Sequence, residues 1–312
     1  MEIGGRQVVE CARCGLLSTS PRVDEAAARR QYADVYYSSD EGARFKSSLA
    51  ELVMLMFRRR RARKLARILG GVAGKRVLDV GCGRGQTLEA LQRLGGDVHG
   101  TEMSPPAARA ARQRLGSPDR IVVGELAEAG YASDSFDCVT MWHVLEHTLR
   151  PLDVLVETAR VVKPGGLVYV EVPNAGGWPA RRYGADWLAF DIDHHVSHFT
   201  ERTLLGLAGR AALEPVRQVH ISLEYSPVTL VQTWLNRIFG GRDRLFRAMA
   251  VVGGPSVETG RLPIAGHAAC AALLFPAAVV VSVWAAARGA GDTIGVYFRK
   301  PHVNSSRPAI AN

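Results

Sequence analysis

The sequence has few cysteines and shows no secretory signal. Five cysteines occur in 312 residues, and the N-terminal region lacks the apolar run of a signal peptide. This cysteine usage argues against a disulfide framework and favours a reducing, cytoplasmic setting. Cys11 and Cys14 form one CxxC pair, but a structural zinc site needs four ligands and no second CxxC is present. We therefore predict that no metal is bound.

Neither the length nor the composition indicates disorder. Charged residues make up 22% and hydrophobic residues 47% of the chain, which is typical of a globular protein with one large or two modest domains. The net charge of +9 does not by itself identify a nucleic acid or a membrane as partner. Much of the positive charge lies in the run RRRRARK, Arg58–Lys64. We predict that this run forms a solvated helix face, with an anionic membrane or a phosphate-bearing substrate as the second interpretation.

From Arg76 onward the chain alternates between strand-like and helix-like segments. The strand-like segments are RVLDVG from Arg76, DVHGTE from Asp97, RIVVGE from Arg120, FDCVTMWH from Phe136, LVYVEVPN from Leu167, EPVRQVHIS from Glu214 and DTIGVYFRK from Asp292. This alternation predicts an α/β fold with a doubly wound, mostly parallel, seven-stranded sheet. In such sheets ligands lie at the carboxyl ends of the strands.

The first of these strands ends in a glycine-rich turn, VLDVGCGRGQT, that is typical of a nucleotide site. Asp79 stands two residues before Gly81, and Gly83 and Gly85 follow. A dinucleotide fingerprint would have its third glycine at Gln86, and a phosphate loop would have a lysine that is absent here. S-adenosylmethionine fits better, because its amino group can meet the acid and its carboxylate can meet amide groups. A tight turn without a ligand is the structural alternative.

Four segments resemble the successive motifs of class I S-adenosylmethionine-dependent methyltransferases. They are VLDVGCGRGQTL, GTEMSP, GELAEAGYASDSFDCVTMWHVLEH and RVVKPGGLVYVEVPN, and they cover roughly residues 73–175. The resemblance implies a Rossmann-like methyltransferase fold with S-adenosylmethionine as cofactor. It assigns Asp79, Gly81, Gly83 and Gly85 to the methionine end of the cofactor, Glu102 to the ribose hydroxyls, Met103 to the adenine ring, and Glu125 and Leu126 to the adenine edge.

Two further segments resemble one subgroup of these enzymes, in which a zinc knuckle precedes a helix and a Tyr-Tyr pair. The first runs from CARCG to Tyr36 and Tyr37, and the second is DWLAFDIDHHVSHFT, in which His195 and His198 match the histidines of the subgroup. The subgroup acts on small molecules, sugars or lipid-linked intermediates. The resemblance implies that residues 1–30 are a truncated, cysteine-containing lead.

Histidines are the candidate general bases. Methyl transfer is an in-line displacement, so the protein mainly aligns the acceptor and needs a base only for a poor nucleophile. Histidine titrates near neutrality, and we predict His143, at the end of the fourth strand, and His195 as the catalytic residues. A structural or helix-capping role is the alternative for each. In HVLEH, His143 and His147 resemble a zinc pair, but the first falls at a strand end rather than on a helix, which argues against a metal.

The motifs of enzymes that methylate nucleic-acid bases are absent. MWHVLEH follows the fourth strand where amino methyltransferases of bases have Asn/Asp-Pro-Pro-aromatic, and no Pro-Cys nucleophile occurs. Nucleic acid is therefore an unlikely partner, and we predict a small-molecule or lipid-linked acceptor. The sequence does not indicate an oligomeric state.

An apolar segment lies between the sixth and seventh predicted strands. Ala268–Ala287 has no charged residue over a length that spans a bilayer core, although it is rich in alanine and contains Pro276. A single span would separate the seventh strand from its sheet. We therefore predict a re-entrant or interfacial helical hairpin that contacts the membrane peripherally, with a buried lid or a dimer interface as the alternative.

These features divide the chain into five parts. They are the cysteine-containing lead (1–30), an N-terminal helical cap (31–72), the S-adenosylmethionine-binding core (73–222), an apolar helical insert (223–291), and the last strand and tail (292–312). The predicted reaction is methyl transfer to oxygen, less readily to carbon or nitrogen, in the cytoplasm or at the inner face of the membrane. The alternatives are a catalytically silent, membrane-associated binding protein of the same fold and an NAD-dependent oxidoreductase.

Overall fold

The computed structural model describes residues 1–3, 5–21, 48–240, 242–249 and 263–302. The strands are β1 (Glu2–Ile3), β2 (Arg6–Glu10), β3 (Leu17–Ser20), β4 (Arg76–Val80), β5 (Asp97–Glu102), β6 (Ile121–Val123), β7 (Phe136–Trp142), β8 (Val162–Pro173), β9 (Ser197–His198), β10 (Glu214–Val219) and β11 (Thr293–Arg299). The helices are α1 (Ser48–Ile68), α2 (Gln86–Gln92), α3 (Pro105–Leu115), α4 (Pro151–Val161), α5 (Trp178–Tyr183), α6 (Glu201–Arg210), α7 (Ser226–Phe239), α8 (Arg244–Met249) and α9 (Ile264–Ala287).

The central sheet has seven strands in the order β10-β11-β8-β7-β4-β5-β6. The ladders that join β8, β7, β4, β5 and β6 are parallel, and β11 runs antiparallel to both β8 and β10. All seven strands lie where the sequence predicts them. The doubly wound, mostly parallel sheet of the predicted Rossmann-like methyltransferase fold is therefore confirmed.

Helices cover both faces of the central part of this sheet, which explains why β4, β7, β8 and β11 are buried along most of their length. Along β4, Leu78 and Val80 belong to the apolar core shared with α4 and α6. Val77 points to the other face, where it packs with residues of α1, α2 and α3. Strand β4 is thus buried on both sides. This packing fixes the position of its carboxyl end, where the glycine-rich turn begins.

The predicted lead forms part of a second, smaller sheet. Strands β1, β2 and β3 form a meander that pairs antiparallel with β9, so that Leu17 lies opposite His198. The sequence analysis does not predict this pairing with the segment after the fifth strand. The predicted helix of the lead and the Tyr36-Tyr37 pair lie outside the described residues. Cys11 and Cys14 are exposed in the connection between β2 and β3, where hydrogen bonds from backbone groups lower the pKa of the Cys11 thiol.

The apolar insert contains three described helices, of which α9 packs on α7. Ala278, Ser282 and Ala285 of α9 are buried, whereas Leu273 is 82% and Val280 68% exposed. By length and composition alone α9 could cross a membrane, with a hydropathy of 2.2 and 17% of its apolar window buried. Strand β11 follows α9 closely and joins the central sheet. The chain therefore returns to the core after the insert, as the sequence analysis requires.

The arginine run of α1 does not form a uniformly solvated face, so that prediction is wrong for two of its members. Arg61 is buried and Arg58 is half-buried, whereas Arg59, Arg60 and Arg63 are exposed. Ala62 and Leu65, which lie on the same side of the helix as Arg61, belong to the apolar core. The helical period therefore carries two arginines inward with the core residues.

Candidate functional site

The glycine-rich turn lines a cavity of about 220 Å³ at the carboxyl end of β4. Gly81, Gly83 and Gly85 have φ angles of +67°, +56° and +74°, a region that glycine adopts without strain. A Cβ atom at Gly81 would lie 2.6 Å from a methyl carbon of Val144, and one at Gly85 3.0 Å from the Cβ of Ala111. The turn therefore needs these glycines for its own conformation and packing, and Gly81 and Gly83 line the cavity.

Two buried acids flank the turn. Asp79 lines the cavity and accepts a hydrogen bond of 2.6 Å from the Thr140 hydroxyl, and burial raises its pKa to about 6. Glu102, at the end of β5, accepts hydrogen bonds of 2.8 Å from the backbone amides of Gly83 and Ser104, and burial raises its pKa to about 7. Both carboxylates are thus held in place by the protein. A ligand group that carries positive charge or donates a hydrogen bond would stabilise the ionised form of each.

The other residues assigned by resemblance lie along the same edge of the sheet, outside this cavity. Met103 is half-buried and follows Glu102 directly. Glu125 is exposed, and its side chain accepts a hydrogen bond from Glu128 in a capping box at the short helix after β6; Leu126 is buried. The structure brings Asp79, Gly81 and Gly83 together in the cavity wall and leaves Met103, Glu125 and Leu126 at the neighbouring strand ends.

His143 lies in the cavity between two carboxylates. Its Nδ1 is 3.1 Å from Oε1 of Glu146, and its Nε2 is 3.3 Å from Oε1 of Glu171. Burial alone would lower the pKa of His143, but the hydrogen bonds with these two carboxylates raise it to about 10. Both ring nitrogens therefore carry protons near neutral pH, and the side chain is a buried cation rather than a proton acceptor.

His195 has the geometry that His143 lacks. Its Nδ1 is 3.0 Å from the carbonyl oxygen of Ala189, and Nδ1 of His147 is 3.0 Å from that of His194. A carbonyl oxygen only accepts hydrogen bonds, so each Nδ1 carries a proton, and this tautomer of the imidazole has Nε2 as its acceptor. Burial lowers the pKa of His147 to about 4, which keeps that ring neutral. Both rings line the cavity, with centroids 4.8 Å apart.

Glu146, His147 and His195 could hold a metal ion. One possible ligand atom from each lies within 4.8 Å of the other two, and Oε2 of Glu146 is buried without a hydrogen-bond partner among the described residues. The sequence argument against a metal considered His143 together with His147. The group of possible ligands in the structure leaves out His143 and includes His195, which comes from a distant segment. These three residues can act either as proton acceptors or as metal ligands. In either role they act at the wall of the cavity.

Sequence reasoning missed the residues that α1 and the insert contribute to the cavity. Arg58 and Arg61 of α1 line it together with Trp142 and Tyr225. The guanidinium carbon of Arg61 lies 4.3 Å from the centroid of the Trp142 ring, a distance typical of a cation–π contact. The sequence could have indicated the inward position of Arg61, because Arg61 lies next to the core residue Ala62 on α1. The run of like charge obscured this helical position.

Comparison with known proteins gives a direct match at these residues. A family model described as a methyltransferase domain matches residues 54–218, which include the glycine-rich turn, both acids and His195. The chain belongs to this methyltransferase family. A ubiquinone biosynthesis O-methyltransferase of Thiobacillus denitrificans is 42% identical to this methyltransferase over 170 residues, a match that covers 51% of this chain and 72% of that protein. One of Klebsiella pneumoniae is 35% identical over 170 residues, covering 51% and 69%.

A solved structure confirms the fold of this methyltransferase without assigning its reaction. The crystal structure of the [4+2]-cyclase SpnF superposes with a TM-score of 0.50 at 20% identity and covers 78% of this chain and 80% of that one. A cyclase shares this fold, so the fold alone does not indicate the reaction. The activity is instead assigned from the family and from the O-methyltransferase relatives. The protein is an S-adenosylmethionine-dependent methyltransferase. The comparisons favour neither the silent binding protein nor the NAD-dependent oxidoreductase.

Proposed function

We propose that this methyltransferase transfers the methyl group of S-adenosylmethionine to an oxygen of a small-molecule, sugar or lipid-linked acceptor. The observation that carries the proposal is the contact of His195 Nδ1 with a carbonyl oxygen, which leaves Nε2 as the proton acceptor of a ring that lines the same cavity as the glycine-rich turn. A hydroxyl group is a poor nucleophile until it loses its proton. His195 accepts that proton while the cavity walls orient the acceptor oxygen. The relatives that are named O-methyltransferases support oxygen over carbon or nitrogen.

The residues around the cavity suit the cofactor, whose sulfonium supplies an activated methyl group. Asp79 pairs with its ammonium group, and Gly81, Gly83 and Gly85 allow its methionine end to approach the backbone. Glu102 accepts hydrogen bonds from the ribose hydroxyls, Met103 packs on the adenine ring, and Glu125 and Leu126 lie at the adenine edge. We add Arg58 and Arg61, whose guanidinium groups face the cavity near Asp79 and suit the carboxylate of the cofactor. His143 contributes a fixed positive charge.

A direct assay tests the reaction. Incubation of the purified protein and a methyl-labelled cofactor with small-molecule and lipid extracts of the source cells is expected to yield a labelled product that is soluble in organic solvent. With a carbon-13 methyl label, the chemical shift of the methyl carbon in the product distinguishes a methyl group on oxygen from one on nitrogen or carbon. Binding of S-adenosylmethionine in calorimetry without any labelled product would instead support the silent binding protein, and a heat of binding with NAD would support the oxidoreductase.

The insert is proposed to hold the protein at the cytoplasmic face of a membrane, where a lipid-linked acceptor would be available. The exposed side of α9 is apolar and carries no charged residue from Ile264 to Ala287. At its end the guanidinium of Arg288 lies 4.4 Å from the ring centroid of Trp284, a pair of residue types that suits a membrane interface. Val228 of α7 and Phe246 of α8 line the cavity. The insert therefore adjoins both the acceptor region and the surface that would meet lipid.

Introducing a charge on α9 is expected to abolish membrane binding. Leu273→Asp exposes a carboxylate at a position that is 82% solvent-accessible in the free protein, so the fold tolerates it while burial in lipid does not. We expect the wild type to float with liposomes of bacterial anionic lipid and the variant to remain in the soluble fraction. Val216→Asp on β10, 54% exposed, is the matched control. Flotation of neither wild type nor control would favour the lid or the dimer interface.

A further inference from the structure

A single buried carboxylate holds the two arginines that face the cavity. Oε1 of Glu224 lies 3.1 Å from Nη2 of Arg58, and its Oε2 lies 2.7 Å from Nη2 of Arg61. The Glu224 side chain is only 3% exposed. It is absent from the residues that line the cavity, whereas both arginines are among them. Nη1 of Arg58 also donates to Oε2 of Glu224 at 3.5 Å, so one carboxylate outside the cavity lining pairs with both guanidinium groups.

The ion pairs with Glu224 orient the two guanidinium groups. A guanidinium has five N–H donors in a rigid plane, so an ion pair at one edge orients the group without consuming it. Arg61 is further fixed by the Trp142 ring and by Glu171, whose Oε1 lies 3.6 Å from Nη2 of Arg61. Arg58 also donates to the Tyr225 hydroxyl at 3.3 Å. Both cations are therefore held in fixed orientations before any ligand enters.

The two arginines line the cavity and also influence the ionisation of Asp79. The charges of Arg61 and Arg58 oppose the rise in the pKa of Asp79 that burial causes. An amino acid moiety carries an ammonium and a carboxylate on adjacent atoms, so a site with one acid and two arginines matches both of its charges. This charge pattern is what the methionine end of the cofactor presents.

We propose that Glu224 is a positioning residue for the cofactor, which orients Arg58 and Arg61 toward its carboxylate. The inference rests on the proposed placement of the methionine end beside Asp79. Glu224 lies outside the residues 54–218 that match the family model. It stands in a tight turn at the start of the insert, where the Ser226 amide donates to the carbonyl oxygen of Ser222 at 2.7 Å. The insert is therefore part of the cofactor site and does more than cover it.

Calorimetry with three ligands tests this role. The ligands are S-adenosylmethionine, its decarboxylated analogue and 5′-methylthioadenosine, which lacks the whole amino acid moiety. In Glu224→Gln one end of the amide presents N–H donors to a guanidinium that has only donors, so one arginine loses its support. We expect the variant to bind S-adenosylmethionine about tenfold more weakly and the other two ligands as the wild type does. KM for the cofactor should rise while kcat at saturation is kept.

The control is Glu214→Gln, an exposed acid on β10, which is expected to leave all three affinities unchanged. An equal loss for all three ligands would mean that Glu224 only stabilises the fold, and tighter binding of S-adenosylmethionine would mean that it competes with the carboxylate. Should Glu224→Gln fail to fold, Arg61→Lys gives the same test, because it keeps the charge and removes the planar fork. Wild-type protein that binds none of the ligands would overturn the proposed cofactor site itself. Equal wild-type affinity for the first two would overturn the contact of Arg58 and Arg61 with the carboxylate, and with it the role of Glu224, but not the placement of the ammonium group at Asp79.

Discussion

Replacing His195 with glutamine is expected to lower kcat by about 10²- to 10⁴-fold and to leave the affinity for S-adenosylmethionine unchanged. Glutamine has a similar length and can still donate to the carbonyl oxygen of Ala189, but it cannot accept a proton near neutral pH. His195 lines the cavity but is not among the proposed cofactor contacts at Asp79 and the glycines, so the loss should appear in turnover. Steady-state kinetics with the acceptor, together with calorimetry of cofactor binding, separate the two quantities.

His143→Gln provides the comparison, because the two histidines were equal candidates in the sequence. His143 holds a proton between Glu146 and Glu171, and its removal leaves two buried carboxylates without a cation. We expect this variant to melt at a lower temperature than His195→Gln. A kcat for His195→Gln within a factor of two or three of the wild type would rule out the assignment of His195 as the base.

Metal removal separates the two roles that His195 could have. We expect dialysis against a chelator to leave methyl transfer unchanged, because neither an in-line displacement nor a histidine base requires a metal. A loss of activity that zinc or manganese restores would instead assign Glu146, His147 and His195 as ligands, since two imidazoles and a carboxylate suit such ions. Measurement of the metal content of the purified protein completes this test.

The central sheet could be predicted because each of its strands is a short apolar run bounded by turns or helices. β4 is buried on both faces, so Val77, Leu78 and Val80 leave no doubt about the strand. The glycine-rich turn follows from the same local rules, since its backbone conformation and close packing demand glycine at Gly81 and Gly85. Local pattern thus located the glycine-rich turn and Asp79 before it.

The remaining parts of the site depend on contacts between distant segments, which local pattern does not record. Glu224 meets Arg58 and Arg61 across more than 160 residues of chain, and a single glutamate in a turn gives no sign of this. The contacts of His143 with two carboxylates and of His195 with a carbonyl oxygen likewise depend on the folded backbone. The N-terminal meander was missed because its partner, β9, is only two residues long.

Asp79→Asn is expected to weaken the binding of S-adenosylmethionine by about 10- to 100-fold at pH 7.5, the range for one lost charge-assisted hydrogen bond. Asparagine keeps an oxygen to accept the bond of 2.6 Å from Thr140, so the variant should fold. What it loses is the negative charge opposite the ammonium group of the cofactor. Calorimetry gives the affinity, and 5′-methylthioadenosine, which has no ammonium group, is expected to bind both proteins equally.

The pH dependence identifies the group responsible. Burial raises the pKa of Asp79 from an ordinary value of 3.8 to about 6 in the folded protein. The folded state therefore loses stability as the pH rises from about 4 through 6, because Asp79 ionises in a buried position. The ammonium group of the cofactor stabilises the ionised form, so cofactor binding releases a proton below pH 6, and the wild-type affinity should rise between pH 5 and 7.

In Asp79→Asn this rise should shrink to the part that Glu102 contributes. Burial raises the pKa of Glu102 to about 7, and the charge of Asp79 adds to that rise; without the charge, the remaining transition should shift to slightly lower pH. Above about pH 8 the cofactor loses its own ammonium proton, which limits the useful range of the experiment. A variant with the same pH profile as the wild type would show that Asp79 does not pair with the ammonium group. The methionine end of the cofactor would then have to lie elsewhere than beside the glycine-rich turn.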